Sequence, residues 1–228
     1  MTALEAAGVV AIGTLVGLDL VSVPQMMIAR PLVAGLLGGL VVGSPGAGLG
    51  AGAVLELFAL ETLPVGAVRY PDWGPGSVAA GALVGAGGAA ALPSGLLGVV
   101  LVVIASAWLG GWLMHVVRRG NAASVTARRA ELEAGDFGAV RALQWRGLAR
   151  DAARSMTLVA FALAAGDALS LLFAHAWRAP EIVAHVALVA ATVGVALASV
   201  LRLFGQGRPL LWLAGGLGAG TLAAVAWR

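Results

Sequence analysis

The sequence predicts an all-α integral membrane protein of about seven helical segments plus re-entrant or broken helices, arranged as a single polytopic membrane domain over 1–228. Three observations predict it. Only 11% of the 228 residues are charged and 60% are hydrophobic, with a mean hydropathy of +0.96, whereas a soluble domain carries roughly 25% charge. The apolar residues gather in runs close to the roughly 20 that one helical crossing needs. The charges are segregated, with eight of the fourteen basic residues (Arg118, Arg119, Arg128, Arg129, Arg141, Arg146, Arg150 and Arg154) inside one short stretch.

The net charge of +3 is carried by arginine alone, and because it is concentrated in that stretch the basic balance does not point to nucleic acid. There are no cysteines, which excludes disulfides, thiolate metal sites and cysteine nucleophiles. The start, MTALEAAGVV, lacks the basic region of a signal peptide and reads as a retained helix.

In chain order, 6–23 is a first helix carrying Asp19, softened at its end by Ser22, Pro24 and Gln25. Arg30-Pro31 starts a second, since proline suits a first helical turn. This segment, to about Leu55, is rich in glycine, with Gly35, Gly39 and Gly43 at spacing four. Small residues so spaced let helix backbones approach closely in lipid. Ser44-Pro45-Gly46 breaks it into a helix and a re-entrant or packed piece. Two further apolar segments, 77–92 and 95–117, are joined by Pro93-Ser94; the first, full of Gly and Ala, predicts tight burial, and the second carries Trp108 and Trp112, suited to an interface. The arginine excess marks 118–154 as a basic cytoplasmic segment. It reads as two helical pieces hinged at Gly135, the second amphipathic, with Phe137, Val140, Leu143 or Gln144, and Leu148 on one side. Such a face suits membrane lipid or a soluble partner, and a solvated loop that only fixes topology is the plain alternative. Three last segments follow: 155–177, 181–201 and 209–227.

The candidate site is the stretch 55–75, LELFALETLPVGAVRYPDWGP, which sets Glu56, Glu61, Arg69 and Asp72 among apolar neighbours. Ionisable groups in such surroundings are costly unless they pair or face a polar cavity. Pro64, Pro71 and Pro75 break any helix there, and broken backbone at membrane depth survives where it is buried by protein or lines a cavity. Glu56 and Glu61, five apart, would splay by roughly 140° on one helix and need not share a site. Glu56 suits a ligand-facing role or a structural bond to a broken helix. Asp72 sits in a turn and can bond to nearby backbone N–H groups. Trp73 suits sugar stacking or interfacial anchoring, and Arg69 can pair with Glu61 or Asp72. Asp19 and Asp167 are further acids in apolar helices. His115, His175 and His185 have no ligand spacing, so no metal site or cofactor is expected, and no catalytic nucleophile–base pattern occurs. The chain reads as built to bind and move something.

Arg30-Pro31-Leu32, the GxGxxxE pattern of Gly50, Gly52 and Glu56, the following LFALETLPVGA, and Pro71-Asp72 together resemble the IIC membrane subunit of the mannose/fructose/sorbose family of the sugar phosphotransferase system. The resemblance implies a multi-pass permease subunit of the bacterial inner membrane that is not itself an enzyme. It also implies a IID membrane partner and IIA and IIB phosphocarrier proteins that phosphorylate a hexose-like sugar. Glu56 and Asp72 match motif positions of the family, and Gly66 falls on the glycine of its "NIG". Pro64 replaces the Asn of that motif, Glu61-Thr62 a Gly-Trp pair, and Pro24 to Met27 a polar segment, which implies an altered lining. A substrate-binding subunit of another importer and a regulatory or vestigial membrane component stay open beside it, as does homo-oligomerisation.

Overall fold

The structure, a computed structural model, describes residues 1–60 and 70–204, with side chains to 201. Among the described residues there are eight α-helices: α1 (Ala3–Leu18), α2 (Pro31–Val41), α3 (Pro45–Ala59), α4 (Gly74–Gly85), α5 (Pro93–Ala127), α6 (Arg129–Glu133), α7 (Phe137–Ala176) and α8 (Glu181–Phe204), with a 3-10 turn at Gly88–Ala91 before α5. No strand occurs among them. The all-α membrane architecture expected from the sequence is therefore present. The last expected segment, 209–227, lies outside the described residues.

The local chemistry explains most boundaries. Thr2 caps α1 in a reciprocal box, accepting from the Glu5 N–H while the Glu5 carboxylate accepts from the Thr2 N–H. Prolines open α2, α3, α4 and α5, where a missing N–H leaves no bond unmade. Gly43, at φ +74, ends α2 in the left-handed conformation, and the Ser44 N–H reaches back to the Gly39 carbonyl at 2.8 Å. The predicted break at 44–46 thus turns α2 and α3 into a tight hairpin. Gly135, at φ +75, supplies the expected hinge before α7, whose first turn is capped by Asp136 accepting from the Gly138 N–H at 2.7 Å.

Lengths sort the helices into two sets. α5, α7 and α8 are each long and apolar enough to cross a membrane. At 35 and 40 residues, α5 and α7 extend about 52 and 60 Å, well beyond a hydrocarbon core of about 30 Å. The basic segment is therefore two continuous helical arms. A change from apolar to charged composition does not break a helix, and nothing between 93 and 127 or between 137 and 176 does. By contrast, α2 has 11 residues and α4 has 12, about 16–18 Å each, too short to cross alone. These are the broken helices of the sequence reading; α2 packs against α1, α3 and α4, and α4 packs in turn against α5 and α7.

What holds the short helices together is backbone contact. A Cβ placed on Gly81 would lie 2.0 Å from the Gly35 carbonyl oxygen, and one on Gly48 would lie 2.4 Å from the same atom. α2 is thus clasped between α3 and α4 at distances that no side chain larger than hydrogen permits. α4 is buried from Gly74 to Leu83, as its Gly/Ala composition predicts, and its Val78, Ala79 and Ala82 join Val99, Val103 and Val159 of the long helices in the core. At the far end, the Glu181 carboxylate opening α8 accepts from both the N–H and the hydroxyl of Ser94, at 2.9 and 2.7 Å, tying α8 to the first turn of α5.

Asp19 shows how one buried acid shapes a loop. It ends α1, and its carboxylate accepts from the Met26 N–H at 2.7 Å and the Ala29 N–H at 3.2 Å. Those bonds fold residues 20–29 back over the end of α1, although Met27 adopts a left-handed φ of 64 to do so. Asp19→Ala removes both acceptors and is expected to cost about 1–3 kcal/mol. Limited proteolysis of the purified protein should then cut within 20–29 faster than in the parent, and an unchanged cleavage rate would contradict this role.

Candidate functional site

The ends of four helices, α1, α2, α3 and α4, converge beside the arginine-rich half of α5 and α7, and two ionic centres form there. In the first, Arg30 at the start of α2 pairs with Glu56 on the last turn of α3. The second Glu56 oxygen accepts from the Leu32 N–H at 3.1 Å. Both side chains are half-buried, and the pair latches the open end of the α2–α3 hairpin. Pro31 and Leu32 can lie that close because the facing residue is Gly52, where a Cβ would fall 2.5 Å from the Pro31 carbonyl oxygen.

The second centre is deeper. Tyr70 to Asp72 run extended across α5, and the Asp72 N–H donates to the Ala107 carbonyl at 2.8 Å. Gly110 and Gly111 make the crossing feasible: a Cβ on Gly111 would meet the Tyr70 carbonyl oxygen at 2.3 Å, and one on Gly110 the Asp72 Cβ at 2.9 Å. The Asp72 carboxylate then meets Arg154 of α7. The Arg154 Nη1 donates to Asp72 Oδ2 at 2.6 Å, and its Nε donates to Asp151 Oδ1 at 2.8 Å. Its Nη2 donates to the Gly17 carbonyl at 3.4 Å and the Ser155 hydroxyl at 3.3 Å. Asp151 also accepts from the Ser22 hydroxyl. The three charged side chains are 1–3% exposed. One guanidinium therefore joins α1, the loop before α4 and α7, and each bond is charge-assisted. The triad carries two carboxylates for one cation, so it remains electronegative.

Two polar atoms beside this centre have no partner among the described residues: Asp72 Oδ1 and the Trp73 indole nitrogen, both buried. Buried polar atoms are nearly always bonded, so an unpartnered acceptor and an unpartnered donor on consecutive residues each mark a place where a polar ligand or water can be held. Trp73 otherwise packs its ring against the core cluster. Among the described residues no group of three or more His, Asp or Glu is placed to hold a metal ion.

Of the residues singled out from the sequence, the structure locates Glu56, Asp72 and Trp73. Glu56 belongs to the latch, whereas Asp72 and Trp73 belong to the deep centre. Glu61, Gly66 and Arg69 lie outside the described residues, as does any pairing of Arg69. Asp19 serves the loop, and Asp167 lies exposed on α7. Arg154, Asp151, Ser22 and Arg30 as a charge partner were not foreseen. A signal for Arg154 existed: Asp151 and Arg154 stand three apart directly before an apolar run, an acid–base pair at a membrane entrance. The surplus of arginine around it concealed that pair within a topological count.

Long apolar helices packed beside short, interrupted ones, with ion pairs where the interruptions meet, define a polytopic membrane protein built around discontinuous helices. Residues 3–203 match the family model described as the sorbose-specific IIC component of the PTS system, and the chain belongs to that family of membrane sugar-transport components. A solved structure described only as a membrane protein is 25% identical over 100% of this chain and 96% of its own, with a TM-score of 0.70. A cryo-EM structure of the mannose transporter ManYZ in complex with microcin E492 is 24% identical over 100% of this chain and 95% of the matched chain, with a TM-score of 0.60, which shows a shared fold. No curated protein matches this chain.

Proposed function

We infer that this chain is the sugar-translocating IIC subunit of a phosphotransferase system in the bacterial inner membrane. It works beside a IID-like membrane subunit while a IIB protein, supplied by IIA, phosphorylates the sugar on the cytoplasmic side. The match to the IIC family over 3–203 carries this reading. The fold shared with the mannose transporter ManYZ supports a hexose-like substrate and a membrane partner. The arginine-rich arms of α5 and α7 point to the cytoplasm by the positive-inside rule.

The sugar site is assigned to the region of Asp72 and Trp73, with Glu56 at its edge and Glu61, Gly66 and Arg69 on the intervening segment. The observation favouring it is that two consecutive residues, Asp72 and Trp73, each leave a buried polar atom without a partner among the described residues, an acceptor and a donor of the kinds that sugar hydroxyls engage. Chemistry on the phosphoryl group belongs to the partner proteins, and this chain supplies passage and recognition.

Two measurements test the proposal. A IID-like polypeptide should purify with the tagged chain from its native membrane. Glu56→Gln and Asp72→Asn should each lower sugar uptake about tenfold or more per folded molecule, the loss expected when one charge-assisted hydrogen bond is removed. Full uptake by both variants would remove the site, and purification without any membrane partner would remove the assembly.

A further inference from the structure

At the arginine-rich end, α5 and α7 part to leave a cavity of about 420 Å³, closed on one side by Val21 and Ser22 beyond the end of α1. Apolar residues line part of it, but its polar side is basic: Arg118, Asn121 and Ser124 come from α5, and Gln144 and Arg150 from α7. Neither Arg118 nor Arg150 has an acidic partner among the described residues. Arg150 is nonetheless fixed in place, since its Nη1 donates to Asn121 Oδ1 at 2.9 Å and to the Ser124 hydroxyl at 3.0 Å. Asp151 also lines the cavity, its oxygens bonded to Arg154 and Ser22, but two arginines stand against this one carboxylate and the lining keeps a net positive charge.

We propose that this cavity binds a phosphate group, carried either by a small phosphate monoester or by the headgroup of an anionic lipid. Two guanidiniums without counter-ions, one of them held by neighbouring side chains, suit a tetrahedral oxyanion with many acceptor positions. The amide N–H groups of Asn121 and Gln144 suit the same oxyanion, and the volume leaves room for a sugar-sized or glycerol-sized remainder. The cavity also adjoins the deep centre. Ser22 and Asp151 line it and bond to each other, and Asp151 holds Arg154, which holds Asp72. Binding there is independent of whether the chain transports sugar and is measured directly.

The test uses the full chain in phosphatidylcholine nanodiscs, titrated calorimetrically with mannose 6-phosphate, with mannose as the uncharged comparison. In parallel, phosphatidylglycerol retained by the protein after purification from mixed-lipid discs is counted by mass spectrometry. The variants are Arg118→Gln, Arg150→Gln and Gly147→Leu, the last filling the cavity while keeping its charges. Gly147 faces Asn121, and its Cβ would be 3.5 Å from the Asn121 amide nitrogen. Arg129→Gln, exposed on α6 and paired with Glu133, is the control. If the source is a small phosphate, mannose 6-phosphate binds, mannose does not, and the three cavity variants weaken binding about tenfold or more while the control does not. If the source is lipid, mannose 6-phosphate does not bind, and the three cavity variants lose phosphatidylglycerol that parent and control retain. Because the Arg118 side chain makes no hydrogen bond or ion pair among the described residues, its loss leaves the fold unburdened. If Arg118→Gln matches Arg129→Gln on both probes, the proposal is overturned.

Discussion

Replacing Arg154 by methionine is expected to destabilise the folded protein by about 3–5 kcal/mol, the cost of stranding buried charge without its partner. Two carboxylates, Asp72 and Asp151, would be left facing each other with almost no access to solvent. The Gly17 carbonyl and the Ser155 hydroxyl would lose a donor as well. The readout is the thermal midpoint of the purified protein in detergent, followed by tryptophan fluorescence. The triple variant Asp72→Asn, Asp151→Asn, Arg154→Met separates charge from packing. It removes the stranded carboxylates while keeping the volumes, and it should recover a large share of the lost stability, because replacing an entire buried ion-pair group is far less costly than halving it. A single variant that melts with the parent would show that the triad does not hold α1, α4 and α7 together.

The second large effect is expected at Gly38. A Cβ there would sit 2.0 Å from the Val78 carbonyl oxygen, 2.9 Å from its carbon and 3.0 Å from the Ala82 nitrogen. All three atoms are backbone of α4, so no rotamer change relieves the overlap and the helices must separate. Overpacking of this kind costs about 1–3 kcal/mol and sometimes more. In Gly38→Val it acts on a helix of 11 residues held largely by such close backbone contacts, so the folded fraction on size-exclusion chromatography should fall sharply. Gly50→Ala is the matched control. A Cβ at Gly50 meets nothing within 4 Å, and alanine is the better helix former by about 1 kcal/mol, so this variant should be neutral or slightly stabilising. Equal behaviour of the two would mean that glycine matters here for something other than close approach.

That contrast also shows what the sequence could and could not reveal. Composition and apolar run length were enough for the membrane class, because lipid leaves a chain few alternatives. Proline and glycine positions located the break at 44–46 and the hinge at Gly135, because those residues act locally. The glycines of 46–52, however, look alike on paper, yet Gly48 and Gly52 pack against α2 while Gly46 and Gly50 face open space. Which face of a helix meets a neighbour depends on its partner, and that is a tertiary fact. The deep centre was half legible for the same reason. Asp72 stood out as an acid among apolar residues, but its counter-ion lies 82 positions away within a run of arginines that differ only in where α7 carries them. The two helical pieces expected around Gly135 are present, but they are continuous with the apolar helices on either side: a shift in charge resembles a boundary, although helix formation responds to backbone breakers more than to charge.

The clasp of α2 between α3 and α4 has a mechanical consequence. Side chains act as springs, since rotamers can change while two elements slide. Peptide planes touching through glycine have no such compliance, so the three short helices form one stiff plate. Any displacement of that plate against α5 and α7 must be taken up at its margins: at residues 20–29, which Asp19 secures, and at the 3-10 turn leading into α5, where Gly87 and Gly88 both carry positive φ. The Asp72–Arg154 pair spans the joint between plate and frame, so its making and breaking would register any such motion directly.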